Sequence, residues 1–289
     1  MAGNQNIFWG RTGYIAIEGR DGKFVNFGGM AGDSLDFKFD GVLIGDISPT
    51  FTAGIRGLSK EHIEQLTGWN PAETLAKARQ IRVYAGYQKD GISRPLFDGI
   101  IREAIPTSPP DMWLNFRCMM NFKKISPIDN PEVIIKKSLS TIFGRIADKC
   151  GMNWRWDATR ADGSKEVNFT MEGTPQDLAS AFADRFDLMV YADGDTLIAA
   201  DRQPWRGTVK NPHIVDIDNG LLNIGGLTVA GATVVTRLNT RIKMCDWVRL
   251  GSTLNPKANG DYVVIKVQHK GHLRGDEWTT TLKMIRKEV

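Results

Sequence analysis

The sequence is poor in cysteine and histidine, and it has no long apolar run. Its three cysteines, Cys118, Cys150 and Cys245, are odd in number and far apart. No disulfide frame is expected from them, and they read as free buried thiols of a reducing compartment. No stretch of about 18 apolar residues occurs, which excludes a transmembrane helix. Residues 1–11 are polar and glycine-bearing with no apolar segment, so no secretory signal is expected. A soluble chain made in a cytoplasm is the expectation.

Signatures of catalysis are missing as well. There is no Gly-x-Ser-x-Gly elbow, and His62, His213, His269 and His272 have no identifiable serine or cysteine partner. The run His269-Lys270-Gly271-His272, with Asp276 and Cys245, does not supply the three or four convergent ligands of a zinc site. Gly271 breaks the strand between the imidazoles, so these are read as hairpin residues. The cluster Gly28-Gly29-Met30-Ala31-Gly32 leads into another strand rather than a helix, and no lysine follows it. It is a turn and not a phosphate cradle. Asp184 and Asp187 are expected to be solvated on a helix. No catalytic residue, cofactor or metal is assigned, and an enzyme is not expected.

What is present is an ordinary globular composition, 42% hydrophobic and 24% charged, at a length that suits two or three modest domains. Net charge is +4, distributed as +2 over residues 1–125, −4 over 126–205 and +6 over 206–289. That alternation suggests three units with different partners.

Periodicity supports the same division. Residues 14–17, 23–27, 35–40, 46–55, 81–84, 96–101 and 112–120 read as short strands, with a turn at Asp21-Gly22 and a bulge or edge at Pro49. Residues 59–66 read as a short helix capped by Ser59. Many short strands and one helix favour a small barrel or sandwich. In the second unit, Ile135, Leu139, Ile142, Phe143, Ile146 and Cys150 recur at helical spacing, with Asn130 as N-cap, Pro131 in the first turn and Gly151 after the last. A second helix is expected after Thr174, with Leu178, Ala181, Phe182 and Phe186 inward. Residues 153–156 and 167–171 read as a strand pair, and 188–192 with 196–200 as a hairpin around Asp193-Gly194-Asp195. Strands at 228–236, 247–250, 262–269 and 278–285 make the third unit β again. The fold class is mainly β with an α+β insertion, two barrels flanking a small α+β domain.

Nucleic-acid binding is the rival function. The third unit is basic and carries Trp247 and Trp278, with Trp205 at its border, and small barrels bind single strands through aromatics and basic grooves. The alternative is therefore an OB-like single-stranded nucleic-acid-binding protein, although no recognition motif accompanies the charge. A hydrolase is a third option.

Three stretches together resemble the baseplate hub family of contractile-tailed phages. They are Ser34-Leu35-Asp36-Phe37-Lys38-Phe39-Asp40 with Thr52-Ala53-Gly54-Ile55-Arg56-Gly57-Leu58-Ser59; Ile81-Arg82-Val83-Tyr84-Ala85-Gly86-Tyr87 with Leu96-Phe97-Asp98-Gly99-Ile100-Ile101; and residues 259–271, opening Asn259-Gly260-Asp261-Tyr262, followed by Trp278-Thr279-Thr280. Their order and spacing extend over nearly the whole chain, although residues 69–79 look like an insertion. The resemblance implies two tail-tube-like barrels in one chain, at 1–125 and 206–289, around a small α+β domain at 126–205. It implies a homotrimer whose six barrels form a pseudo-hexameric ring between tail tube and spike. The implied partners are the tail tube protein, a trimeric spike protein, the tape-measure protein and baseplate wedge proteins, with no membrane. DNA would transit the channel without specific binding, so Arg237, Arg241, Lys243 and Arg249 are expected to face away from the lumen. The implied location is the virion baseplate, assembled in the host cytoplasm. Trp69, Trp205, Trp247 and Arg241, with the loop 68–78, are the candidate partner contacts.

Overall fold

Strand β1 (Arg11–Glu18) turns through Asp21-Gly22 into β2 (Phe24–Phe27), and the two pair antiparallel from Ile15↔Phe27 to Glu18↔Phe24. Gly22 sits at φ +76°, which costs glycine little because it has no Cβ. The computed structural model describes residues 10–19, 21–28, 35–44, 50–67, 79–92, 94–108, 112–120 and 131–287. Most of the glycine cluster after Gly28, Pro49, the loop 68–78 with Trp69, and Asn130 lie outside the described residues.

The first part continues with β3 (Asp36–Ile44), β4 (Thr50–Arg56), helix α1 (Lys60–Thr67), β5 (Gln80–Tyr87), β6 (Phe97–Pro106) and β7 (Trp113–Met120). Helix α1 starts where the Ser59 hydroxyl accepts the His62 backbone N–H at 3.2 Å. Strand β5 alternates as its sequence requires, burying Ile81, Val83, Ala85 and Tyr87.

The middle part opens with a strand, β8 (Glu132–Ser138), and not with the expected helix. Helix α2 runs only over Leu139–Cys150, and its N-cap is Ser138, whose hydroxyl accepts the Thr141 N–H at 3.3 Å. Ile135 therefore leaves the apolar stripe and stands 62% exposed on β8. Gly151 takes the left-handed C-cap position, as expected. Strands β9 (Asn153–Trp156) and β10 (Glu166–Met171) form but do not pair with each other. Strand β10 pairs with β8, and β9 runs parallel to β12 (Thr196–Asp201). Helix α3 (Pro175–Arg185) begins with a capping box between Thr174 and Asp177. It buries Leu178, Ala179, Phe182 and Ala183, while Ala181 faces water. Strand β11 (Leu188–Asp193) and β12 make the expected hairpin, with Gly194 at φ +64°.

The last part adds β13 (His213–Val215), β14 (Leu221–Leu227), β15 (Gly231–Arg237), β16 (Trp247–Leu250), β17 (Gly260–His272) and β18 (Trp278–Arg286). Strands β13 and β14 have no counterpart in the sequence reading. The protein is mainly β. Its largest sheet runs β14-β15-β18-β17-β3-β4-β7-β6-β5-β1-β2, with β16 and β13 branching from β17. The decisive ladder is β17 to β3, antiparallel from Lys266↔Ile44 to His272↔Lys38. It makes one sheet of strands from both ends of the chain. Among the described residues the ladders do not close into a ring.

Three apolar cores underlie this arrangement. One gathers α2, α3 and the middle strands around Phe143 and Phe182. A second fills the first part around Phe37 and Phe116 and takes in Leu238 and Trp278 from the last part. A third lies under the last strands around Tyr262 and takes in Tyr191, Ile198 and Ala200 from the middle. Each such aromatic, fully buried, stabilises by about 2–3 kcal/mol. Cores two and three thus tie sequence-distant parts together.

Candidate functional site: the seam between the chain's ends

The β3–β17 ladder sets Asp36 beside the turn that follows β17. Asp36 opens a strand of alternating character, yet its side chain is only 1% exposed. Burying a carboxylate so deeply costs several kcal/mol unless its oxygens are bonded. Here Oδ2 lies 2.7 Å from His272 Nε2 and 3.2 Å from Arg56 Nη2, while Oδ1 accepts the Arg274 backbone N–H at 3.2 Å. A carboxylate only accepts, so His272 Nε2 carries the hydrogen. Trp113 covers the cluster, edge-on to His272 at 5.5 Å, with Lys38 Nζ 4.4 Å and the Arg56 guanidinium 5.3 Å from its ring. Arg11 on β1 reaches the same turn, donating to the Gly275 carbonyl and, at 3.1 Å, to that of Asp276.

A histidine bonded to a buried carboxylate also supplies two of the three members of a hydrolytic triad, but the turn at Gly275 crowds the other imidazole nitrogen. A Cβ placed on Gly275 would overlap His272 Nδ1, so the turn backbone packs close against that side of the ring. The pair is a clamp. His269, three residues earlier, has a separate partner, Thr280 Oγ1 at 2.9 Å from Nδ1. Burial pushes its pKa down to about 4, so it is neutral at pH 7. The two imidazoles share no ligand, and among the described residues no group of three His, Cys, Asp or Glu is placed to hold a metal.

A second junction joins the middle and last parts. Tyr191 O–H donates to the Met244 carbonyl at 3.3 Å, and Lys243 Nζ bonds the Asp193 carboxylate. Asp246 accepts the Lys243 backbone N–H at 2.8 Å and meets His213 Nε2 at 3.2 Å, while burial raises its pKa. Beside this junction a cleft of about 600 Å³ separates Arg82 and Phe97 from Tyr191 and Met244, with His269 in its wall. A smaller cleft of about 320 Å³ includes Trp247 and Cys245. Burial pushes the Cys245 thiol up to about 12, so it is no nucleophile at neutral pH.

The candidate contact residues are not assembled into one patch. Trp247 is half-buried on β16 at the smaller cleft, next to the Gly207 backbone that follows the Trp205 turn. Trp205 is half-buried in that turn. Arg241 does not line this cleft; it pairs with Asp90, after β5, at 3.4 Å. Trp69 lies outside the described residues. Arg249 is held in a two-pronged pair with Asp261, at 2.8 and 3.2 Å. Arg241, Lys243, Arg249 and Lys270 of the last part are thus paired within the chain. Trp278, one of the tryptophans considered for base stacking, is buried against Phe37 and Phe39. Asp184 and Asp187 are exposed as expected, but only Asp184 is on α3, Asp187 lying beyond its end, and both face Arg202.

Sequence reasoning missed the Asp36–His272 clamp. The signal was available, since the two residues lie in or directly beside two of the motifs that carry the family resemblance. What the sequence does not show is that these motifs are neighbours.

Comparison with known proteins gives a consistent picture. A family model described as "Baseplate hub gp41" matches residues 48–284. No curated protein matches the sequence. Among solved structures, the 43 kDa tail protein of prophage MuSo2 from Shewanella oneidensis is similar at a TM-score of 0.62 and 10% identity, covering 96% of this chain and 98% of that one. A tail protein from Neisseria meningitidis gives 0.63 and 9%, covering 96% and 97%. A type VI secretion system component from E. coli, described as similar to the T4 phage tail proteins gp27 and gp5, gives 0.54 and 9%, covering 88% and 74%. At these identities the likeness is one of fold.

Proposed function

Because the chain belongs to the baseplate hub gp41 family, a family of structural phage tail components, we propose that it is the central hub of a contractile-tail baseplate. In this reading three copies form a pseudo-hexameric ring around the DNA channel, between the tail tube and a trimeric spike. The observation that carries it is the β17–β3 ladder, which joins strands from the two β-rich ends of the chain into one sheet. A chain that presents two similar β units lets threefold symmetry imitate sixfold symmetry, so one ring can meet both a sixfold tube and a threefold spike. Residues 1–125 and 206–289 are the two ring-forming units. Residues 126–205, with their own core and a charge of −4, are the unit offered to wedge proteins. Spike contact is supported by the likeness to a secretion component itself described as similar to gp27 and gp5. Trp69, Trp205, Trp247 and Arg241 are the proposed contact positions, and the tape-measure protein is a further proposed partner. The product is a virion component assembled in the host cytoplasm.

The test is the mass of the purified protein by light scattering, over a range of concentration and salt. The expected result is about three times the 32.1 kDa chain. A monomer under all conditions overturns the ring. Nucleic-acid binding is disfavoured by the burial of Trp278 and the internal pairing of Arg241, Lys243 and Arg249. A titration with single-stranded DNA is expected to show no salt-dependent binding, whereas binding that weakens steeply with salt would favour the alternative.

A further inference from the structure

Strands β14 and β2 are the two ends of the main sheet path among the described residues, and neither carries a charged side chain. Each strand between them along that path carries at least one. This reverses the usual pattern, in which sheet edges are guarded by lysine, proline or other charge against association. The bias extends beyond β14, because residues 219–236 contain no charged residue. Within that run Leu222, Leu227 and Val229 are exposed, and Val229, at the β14–β15 turn, is fully so. At the opposite end β2 exposes Val25. Neutral apolar surface of this kind has nothing to offer phosphate and marks a protein contact.

We propose that the β14–β15 hairpin is a docking arm that packs onto the β1–β2 end of a second copy of this chain. The inference rests on the ring reading and specifies its interface. A head-to-tail ring needs two unlike, complementary surfaces on each subunit. Finding an uncharged apolar strand at both ends of the main path, and on no strand between them along it, selects a second copy over a foreign partner, which needs only one. The contact is made by side chains. Strand β14 is bulged between Leu221 and Asn223 and again between Ile224 and Gly226, which interrupts the regular edge that a continued backbone ladder requires.

Cysteine cross-linking tests this, because Cys118 and Cys150 are buried and Cys245 is half-buried. Val25→Cys and Val229→Cys chains, co-expressed and treated with a short bismaleimide, are expected to give a covalent dimer. Either variant alone is expected to give none beyond the wild-type background. The double substitution Leu227→Asp with Val229→Asp is expected to shift the mass from trimer to monomer with an unchanged circular dichroism spectrum. Val133→Asp with Ile135→Asp, also exposed but on β8, is expected to leave the trimer intact. A wild-type trimer without the mixed cross-link, or with one from Val229→Cys alone, overturns the arm and leaves the ring standing. A wild-type monomer at all concentrations overturns the ring, and the arm with it.

Discussion

Asp36 and His272 are 236 positions apart in sequence and 2.7 Å apart in space, Oδ2 to Nε2. The bond crosses the ladder that joins the first strands to the last, so it reports directly on whether the two ends of the chain are docked. Asp36→Asn removes the charge while keeping the shape, leaving His272 and Arg56 facing a neutral amide. Breaking a buried pair from one side costs about 3 kcal/mol. A lower urea midpoint is expected, with His272→Ala costing much less in the Asp36→Asn background than in wild type. Additive effects in that double-mutant cycle would show that the two side chains do not interact.

Acid sensitivity follows from His269. Its folded pKa of about 4 lies below the ordinary 6.5, so between those values the unfolded chain takes up a proton that the fold refuses. Stability therefore falls as pH drops from 6.5 to 4 and changes no further below that on this residue's account, a loss of up to about 3 kcal/mol. His269→Gln is expected to flatten this segment of the melting-temperature profile. An unaltered slope in the variant would assign the sensitivity elsewhere.

Gly271, in the run that resembles the hub family, lies where a Cβ would overlap the Phe39 ring and press on Trp278. Gly271→Ala is expected to cost about 1–3 kcal/mol through overpacking. Thermal unfolding monitored by tryptophan fluorescence would show it as a lower midpoint. An unchanged midpoint would mean that the aromatic cluster yields without strain.

The capping box of α3 gives a local prediction. Thr174→Ala removes the hydroxyl that accepts the Asp177 N–H at 3.2 Å, at a cost of about 1 kcal/mol. Hydrogen exchange is expected to accelerate in the first turn of α3. Equal protection in both proteins would show that packing of Leu178 and Phe182 alone fixes the helix start.

Much of this architecture was legible locally. The Asp21-Gly22 and Asp193-Gly194-Asp195 turns, the Thr174 cap and the strand at 81–84 are each specified by a few adjacent residues, and each formed as expected. The failures share a cause. Ile135 and Leu139 have helical spacing, but β10 pairs with the segment before Ser138 and holds it extended, so tertiary pairing prevails over period. Strands β9 and β10 look like a hairpin because they are close in sequence, whereas their partners are β12 and β8. The Asp36 clamp was hidden for the same reason, since its acceptor and donors are brought together only by the β3–β17 ladder. Strand β14 escaped notice because its glycines and bulges erase the two-residue alternation.

The β3–β17 ladder also bears on how the molecule is made. A ribosome releases β3 more than 200 residues before β17 exists to pair with it, and at about 5–20 residues per second the interval lasts at least ten seconds. Throughout that time one side of β3 has no native neighbour, and the core around Phe37 lacks Leu238 and Trp278. The nascent chain must therefore wait with a partly built sheet, exposed to association with other unfinished copies. Truncation before β17 would consequently leave β3 without one of its two neighbours and the core around Phe37 incomplete, and high-level expression would call for holding chaperones or slow synthesis.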